Sequence, residues 1–154
     1  LGESIIGASN VDSLQCRISL ATPPYWSMHD QRLLSDLVRK ALKLGEVRLS
    51  GGAEYLRAYQ YGPFMMLKIC LIQFSGHNLF NVSGGEEISI FDMGRVVASR
   101  FGVPFVCSDE KDQSGSPPVV RVDSEKLKNK IGVFKQESFK EVVEAFTYSL
   151  GKLQ

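Results

Sequence analysis

The sequence predicts a mixed α/β fold, and three observations carry that prediction. Short apolar or β-branched runs alternate with segments of helical period along the chain. Residues 79–102 read as a complete strand, turn and helix: a strand at 79–82, a tight turn on Ser83-Gly84-Gly85, an extended piece at Glu87-Ile88, then a helix. Ser89 followed by Asp92 has the form of a capping box, and Gly102 supplies a left-handed stop. Ile90, Met93, Val96, Val97 and Phe101 recur at helical spacing, so one side of that helix must be buried. The third observation is a second capping box, Ser138 with Glu141, opening a last helix whose Phe139, Val142, Val143, Ala145, Phe146 and Leu150 face inward.

Composition sets the bounds. A chain of 154 residues suits one soluble unit with a real core. With 18 basic and 17 acidic residues the net charge is +1, so nothing pulls the chain towards nucleic acid or a membrane surface. No run of about 18 apolar residues is long enough to span a bilayer. Cys16, Cys70 and Cys107 are odd in number, widely spaced and set among apolar residues, which predicts reduced core thiols of an intracellular, cytoplasmic protein. The opening Leu1-Gly2-Glu3-Ser4-Ile5-Ile6 has no initiator methionine and no polar lead-in, so a truncated chain is expected.

In order, residues 2–10 read as the tail of a helix that Gly7 or Asn10 can end. Residues 14–20 alternate around Cys16, Ile18 and Leu20 as a buried strand, and 21–28 form a loop stiffened by Pro23 and Pro24. Asp30 can cap a helix through Lys43 whose apolar face is Leu33, Leu34, Leu37, Val38, Ala41 and Leu42, with Gly45 as its stop. A short strand at 47–49, a turn on Ser50-Gly51-Gly52 and a strand at 55–61 follow. Pro63 opens a helix over 63–74 that is apolar nearly all round, so it is buried on several sides or waits for a partner. After the 79–102 stretch come a strand at 104–107, an irregular polar loop at 109–116, a strand at 119–122, and a short helix at 124–128 capped by Asp123.

The order of certain motifs carries a resemblance. These are R-I-S-L-A-T-P-P-Y from Arg17 to Tyr25; Gly51-Gly52 followed by Arg57, Tyr59 and Tyr61; Phe80-Asn81-Val82 with Gly84, Ser89 and Ile90; and Asp123-Ser124 with Lys126, Gly132, Ser138-Phe139 and Glu141. Together they resemble the C-terminal half of the extended short-chain dehydrogenase/reductases, and more narrowly the NAD-dependent epimerase/dehydratase branch that works on nucleotide sugars. The resemblance implies the C-terminal part of a Rossmann-type sheet plus a small α/β substrate-binding lobe. It implies that residues 1–154 are a single unit whose N-terminal, NAD-binding half is absent. In that family the glycine-rich turn and the Ser and Tyr-x-x-x-Lys catalytic set belong to the absent half, and Gly2-Glu3 matches residues shortly after the catalytic lysine. The glycine pairs present here do not open helices where a dinucleotide would need them. Tyr148 to Lys152 has the Tyr-x-x-x-Lys spacing, but one helical turn separates such residues by chance, so no catalytic or cofactor-binding residue is assigned.

The substrate-binding candidates follow from the resemblance. Arg57 falls on the family's G-G-x-x-x-x-R arginine, which contacts the diphosphate or nucleotide, and Arg121 on a second family arginine on the diphosphate, where a planar guanidinium bonds two phosphate oxygens at once. Read without the family, Arg57 is an exposed strand arginine paired with a carboxylate or water, and Arg121 is a solvated edge-strand charge. Tyr25, with Trp26, sits where relatives place a loop beside the substrate, and either aromatic could instead cover the core. Leu49 matches a position lining the base pocket and is otherwise core. His29 and His77 lie on separate predicted elements without carboxylates, so no metal ligand is assigned. Glu86-Glu87 reads as favourable charge at the start of the helix that follows. Departures from the family pattern are Ala58 for an aspartate, Gly62-Pro63-Phe64 for an acidic helix start, Leu20-Ala21 for an asparagine, and Val133-Phe134-Lys135 for a tryptophan-proline pair.

The expectation is therefore a nucleotide-sugar-binding half of an NAD(P)-dependent epimerase or dehydratase, not competent alone. NAD(P) belongs to the intact parent and none is expected for this chain. The partners are a nucleotide-diphosphate sugar and either the absent half or a homodimer partner. The alternative is a non-catalytic interaction or remnant domain that keeps the fold without the ligand.

Overall fold

A computed structural model describes residues 2–8, 11–108, 117–132, 136–148 and 150. Among these, the elements run α1 (Gly2–Gly7), β1 (Ser13–Ile18), β2 (Ala21–Thr22), α2 (Leu33–Leu44), β3 (Val47–Ser50), β4 (Leu56–Ala58), β5 (Gln60–Tyr61), α3 (Gly62–Cys70), β6 (His77–Val82), β7 (Glu87–Ser89), α4 (Ile90–Phe101), β8 (Phe105–Ser108), α5 (Glu125–Ile131) and α6 (Phe139–Phe146). Three strand pairs are parallel: β1 with β6, β2 with β5, and β3 with β8. Only β4 with β7 is antiparallel among the described pairs. Parallel strands cannot be joined by a tight turn, so each parallel pair is closed by a long crossover carrying helices. This is the mixed α/β arrangement that the sequence predicts.

Burial divides the side chains into two clusters. The larger gathers α2, α4 and α6 around β3, with Leu37, Val38, Val47, Met93, Val97 and Val143 fully buried. The smaller packs Met65, Ile69 and Ile72 against Leu14, Cys16, Phe80 and Val82 of the β1–β6 pair and Leu127 of α5. Helix ends obey the local chemistry. Ser89 Oγ accepts from Asp92 N at 3.0 Å and donates to the Asp92 carboxylate at 2.7 Å, and Gly102 ends α4 in the left-handed region. Ser138 and Glu141 form the full reciprocal capping box of α6. Arg17 on β1 donates to both carboxylate oxygens of Glu3, tying α1 to the sheet.

Several expectations are corrected. The first long helix begins at Leu33 with Arg32, not Asp30, at its N-cap, because the Arg32 guanidinium takes both Asp30 carboxylate oxygens ahead of the helix. Leu42 is exposed, since the burying stripe ends at Ala41. The loop at 21–28 contains the short strand β2, and the strand at 55–61 is broken at Tyr59 into β4 and β5. The helix at 63–74 stops at Cys70, where Leu71 caps it and Ile72 turns into the core. The segment 119–122 makes a single bridge, Val119 to Leu56, and no strand of its own. The short C-terminal helix starts at Glu125, whose amide Asp123 Oδ1 accepts at 2.8 Å, and runs to Ile131. Cys70 is exposed, whereas Cys16 and Cys107 are half-buried. Asn10, the loop at 109–116, Val133-Phe134-Lys135 and Lys152 lie outside the described residues.

The turn before β7 is set by one close backbone approach. Gly85 has φ 87°, and a Cβ there would stand 1.9 Å from the Tyr59 carbonyl oxygen, so neither the backbone angle nor the space admits a side chain. Gly85→Ala is expected to lower stability by about 3 kcal/mol, read as a shifted midpoint in urea unfolding.

Candidate functional site

The site grows from the β4–β7 ribbon. Its register sets Arg57 opposite Ile88 and Ala58 opposite Glu87, and alternate residues of a strand point to opposite faces. The parallel bridge of Val119 to Leu56 brings Arg121, two residues on, level with Ala58 on the other flank. Ala58 is small and buried, so the Arg121 guanidinium passes over it to Glu87. The pair is bidentate, Nε to Oε1 at 2.6 Å and Nη2 to Oε2 at 2.8 Å. Those hydrogen bonds hold the Glu87 carboxyl below its ordinary pKa and raise that of Arg121. Both side chains are open to solvent, 69% and 38% exposed, so the pair is screened and holds the arginine only loosely.

A cavity of about 940 Å³ opens beside this pair. Ser83, Gly84 and Gly85 line it together with Arg121, Asp123 and Lys128. Lys68 of α3 and the Ala58 methyl group also line it. Three cations, Lys68, Arg121 and Lys128, therefore share the cavity lining with two carboxylates, Glu87 and Asp123. The walls are anchored from behind. Gln136 donates its side-chain amide to the Gly85 carbonyl, Asn81 Nδ2 donates to Asp123 O at 3.0 Å, and Lys126 Nζ donates to Leu79 O at 2.9 Å while lying over the Phe80 ring. Behind Gly84 sits Gln60, 1% exposed, whose amide donates to Val82 O at 3.4 Å while its Oε1 has no protein partner. Gly84 leaves it room: a Cβ there would meet that oxygen at 2.8 Å.

The sequence candidates do not all converge on this cavity. Arg121 lines it, but Arg57 starts from the opposite face of the ribbon. Arg57 Nη1 donates to Leu56 O at 2.8 Å and to Pro118 O at 3.4 Å, with the guanidinium 5.7 Å from the Tyr55 ring centre. Tyr25 is exposed on the loop before α2. Trp26 beside it packs on the larger core, with Nε1 donating to Ser35 O at 3.2 Å. Leu49 is buried in that core, where it faces Gly94 of α4. Glu86 does not serve the start of α4: its carboxylate accepts from Phe139 N at 3.3 Å at the start of α6, while Glu87 is taken by Arg121. His29 and His77 stay apart, and no three His, Cys, Asp or Glu side chains among the described residues gather as a metal site. Sequence reasoning passed over Lys68 and Lys128 as cavity residues. Lys68 carried a signal, being the one charged residue in the apolar run of α3.

The loop carrying Tyr25 is pinned by a charged knot. Asp30 receives Arg32 Nε at 2.9 Å and Ser35 Oγ at 2.5 Å, and Arg32 Nη1 donates to Ala21 O at 2.9 Å. The Arg32 hydrogen bonds hold the Asp30 carboxyl at about 2, against an ordinary 3.8.

No family model matches the chain, and no curated protein sequence matches it. Solved structures do. The dTDP-glucose 4,6-dehydratase of Bacillus anthracis, in complex with NAD, is 17% identical and aligns over 90% of this chain and 44% of that one with a TM-score of 0.68. The Bordetella bronchiseptica enzyme WbmG, in complex with NAD and UDP, is 23% identical over 94% of this chain and 45% of that one, with a TM-score of 0.69. The UDP-glucose 4-epimerase of Thermotoga maritima, with UDP-glucose, is 18% identical over 99% and 50%, with a TM-score of 0.71. At such identities the likeness is one of fold: a mixed α/β unit corresponding to part of a Rossmann-like architecture. The chain spans about half the length of the solved chains it matches. Gly51-Gly52 leads into β4 and Gly84-Gly85 into β7, so neither pair opens a helix.

The Asp30 knot gives a signed pH effect. A carboxyl depressed by folding stabilises above its unfolded pKa and loses that contribution as pH falls through the folded value. Asp30→Asn is expected to lower stability by about 1 kcal/mol at pH 7, the raw linkage being discounted for the half-exposed Arg32 partner. In urea unfolding, the gap between parent and variant should close as pH falls from 3.8 to about 2.

Proposed function

We propose that this chain is the nucleotide-sugar-binding half of an NAD(P)-dependent epimerase or dehydratase of the extended short-chain dehydrogenase/reductase family, acting in the cytoplasm with an NAD-binding half outside residues 1–154. The observation that carries this reading is the cavity that Arg121, Lys68 and Lys128 line together with the Ser83-Gly84-Gly85 backbone. A diphosphate suits that arrangement on three counts. The wall presents backbone that phosphate can approach closely, the lysines add point charge, and the guanidinium fork matches two phosphate oxygens. Arg121 reaches the ligand by exchanging the Glu87 carboxylate for phosphate, which costs little because the existing pair is open to water. Asp123 offers an acceptor for a hydroxyl of the ribose or sugar. Arg57 acts one step back, holding Pro118 and so the strand-like segment that carries Arg121. Binding in this way fixes the sugar near a cofactor held by the other half, and the redox chemistry is that cofactor's.

Titration calorimetry with UDP-glucose and dTDP-glucose tests the reading. Binding is expected, weakened at least ten-fold in Arg121→Ala, about 1.4 kcal/mol, and about three-fold in Arg57→Ala. The reading falls if neither compound gives heat or raises the melting temperature and Arg121→Ala matches the parent.

A second reading has its own observation. Phe64, Leu67 and Leu71 of the α3 region stand half or more exposed, as they would in an interaction or remnant domain without a ligand. A self-associating chain whose melting temperature ignores nucleotide sugars would favour it.

A further inference from the structure

Gln60, the first residue of β5, is buried behind the Ser83-Gly84-Gly85 turn that lines the cavity. The fold makes full use of its backbone: its amide donates to Leu20 O at 3.1 Å, and the β2–β5 pairing sets Ala21 opposite it. The side chain has no comparable use in the fold. Nε2 donates to Val82 O over a long 3.4 Å, and that carbonyl already accepts from Ser19 N at 3.0 Å. Oε1 is buried without a partner. An acceptor buried unpaired costs more than one long hydrogen bond returns, so a methionine of similar length and shape would suit the core at least as well.

What the carboxamide does meet is the turn. Nε2 holds Val82, the residue just before it, and Oε1 stands behind Gly84, where a Cβ would come within 2.8 Å. Gly85 is seated on the carbonyl of Tyr59, the neighbour of Gln60 in the chain. Two successive residues therefore back the turn, Tyr59 by its carbonyl at Gly85 and Gln60 by its side chain at Val82 and Gly84. We infer that Gln60 is a positioning residue for the ligand: its carboxamide fixes where the Gly84 backbone stands in the cavity, so that a diphosphate meets a surface already in place. Gln60 acts through Gly84 and does not touch the ligand itself. Without the amide the turn can settle elsewhere, and the ligand must order it on binding, which lowers affinity. This inference rests on the nucleotide-sugar reading of the cavity.

The test pairs titration calorimetry with UDP-glucose and urea unfolding on Gln60→Met, which keeps the length of the side chain and removes its amide, and on Gln60→Leu. Both variants are expected to bind at least five-fold more weakly than the parent, with an unfolding midpoint equal to or above the parent's. A residue that only filled the core would move the two readouts together, both downward. A lowered midpoint in both variants therefore makes Gln60 a core residue and overturns the inference, whatever the affinity. So does binding of Gln60→Met within two-fold of a parent that binds through Arg121. The reading of the cavity fails by a different result, a parent that gives no heat and an Arg121→Ala variant that matches it, and this inference then falls with it.

Discussion

Parallel strand pairing is the constraint on which the rest of this molecule depends. β1 and β6 run in the same direction side by side, so the chain must travel the length of the strand and return before the pair can close. Everything between Ile18 and His77 is that return path. It carries α2 into the larger core, lays down β3 through β5, and comes back along α3 over the β1–β6 pair. The same rule acts on β3 and β8, whose separation brings α4 over Leu49 and the Gly94 contact. Two cores result, because the β1–β6 and β3–β8 pairs are covered by different helices.

The antiparallel β4–β7 ribbon lies where these return paths meet, and the candidate site follows from its register. A residue as small as Ala58 lets Arg121 span the ribbon to Glu87, and the bare wall at Ser83-Gly84-Gly85 exists because Gly85 is pressed on the Tyr59 carbonyl. The arginine is thus held in a bidentate carboxylate pair that models the geometry of its proposed ligand. An exposed pair of this kind positions a side chain at low cost and gives it up readily to a stronger anion.

Much of the architecture was legible in the residues. The cap and stop signals at Ser89, Gly102, Ser138 and Gly45 all mark real helix ends, because capping is satisfied within a few residues and does not wait for tertiary contacts. Asp30 misled for a related reason: its carboxylate had a stronger local bidder in Arg32 than the helix amides. The strand at 119–122 failed because β character depends on what the tertiary fold sets beside a segment, and here only Val119 meets β4. Of the residues lining the cavity, Arg121 was singled out through the family resemblance, and Lys68 was passed over although it is a lone charge on an apolar helix. Lys128 and the orphaned Gln60 oxygen carried no such signal, since nothing in their local sequence tells which cavity a side chain borders.

The sequence by itself determined the alternation of strands and helices, the ends of most helices and the apolar sides of α2, α4 and α6, all of which rest on interactions within about four residues. Only the tertiary structure decided which side of α3 is covered, and that Arg57 and Arg121 leave the ribbon on opposite faces. Those outcomes depend on strand register and on parallel pairings between residues far apart in the chain, and no local pattern encodes them.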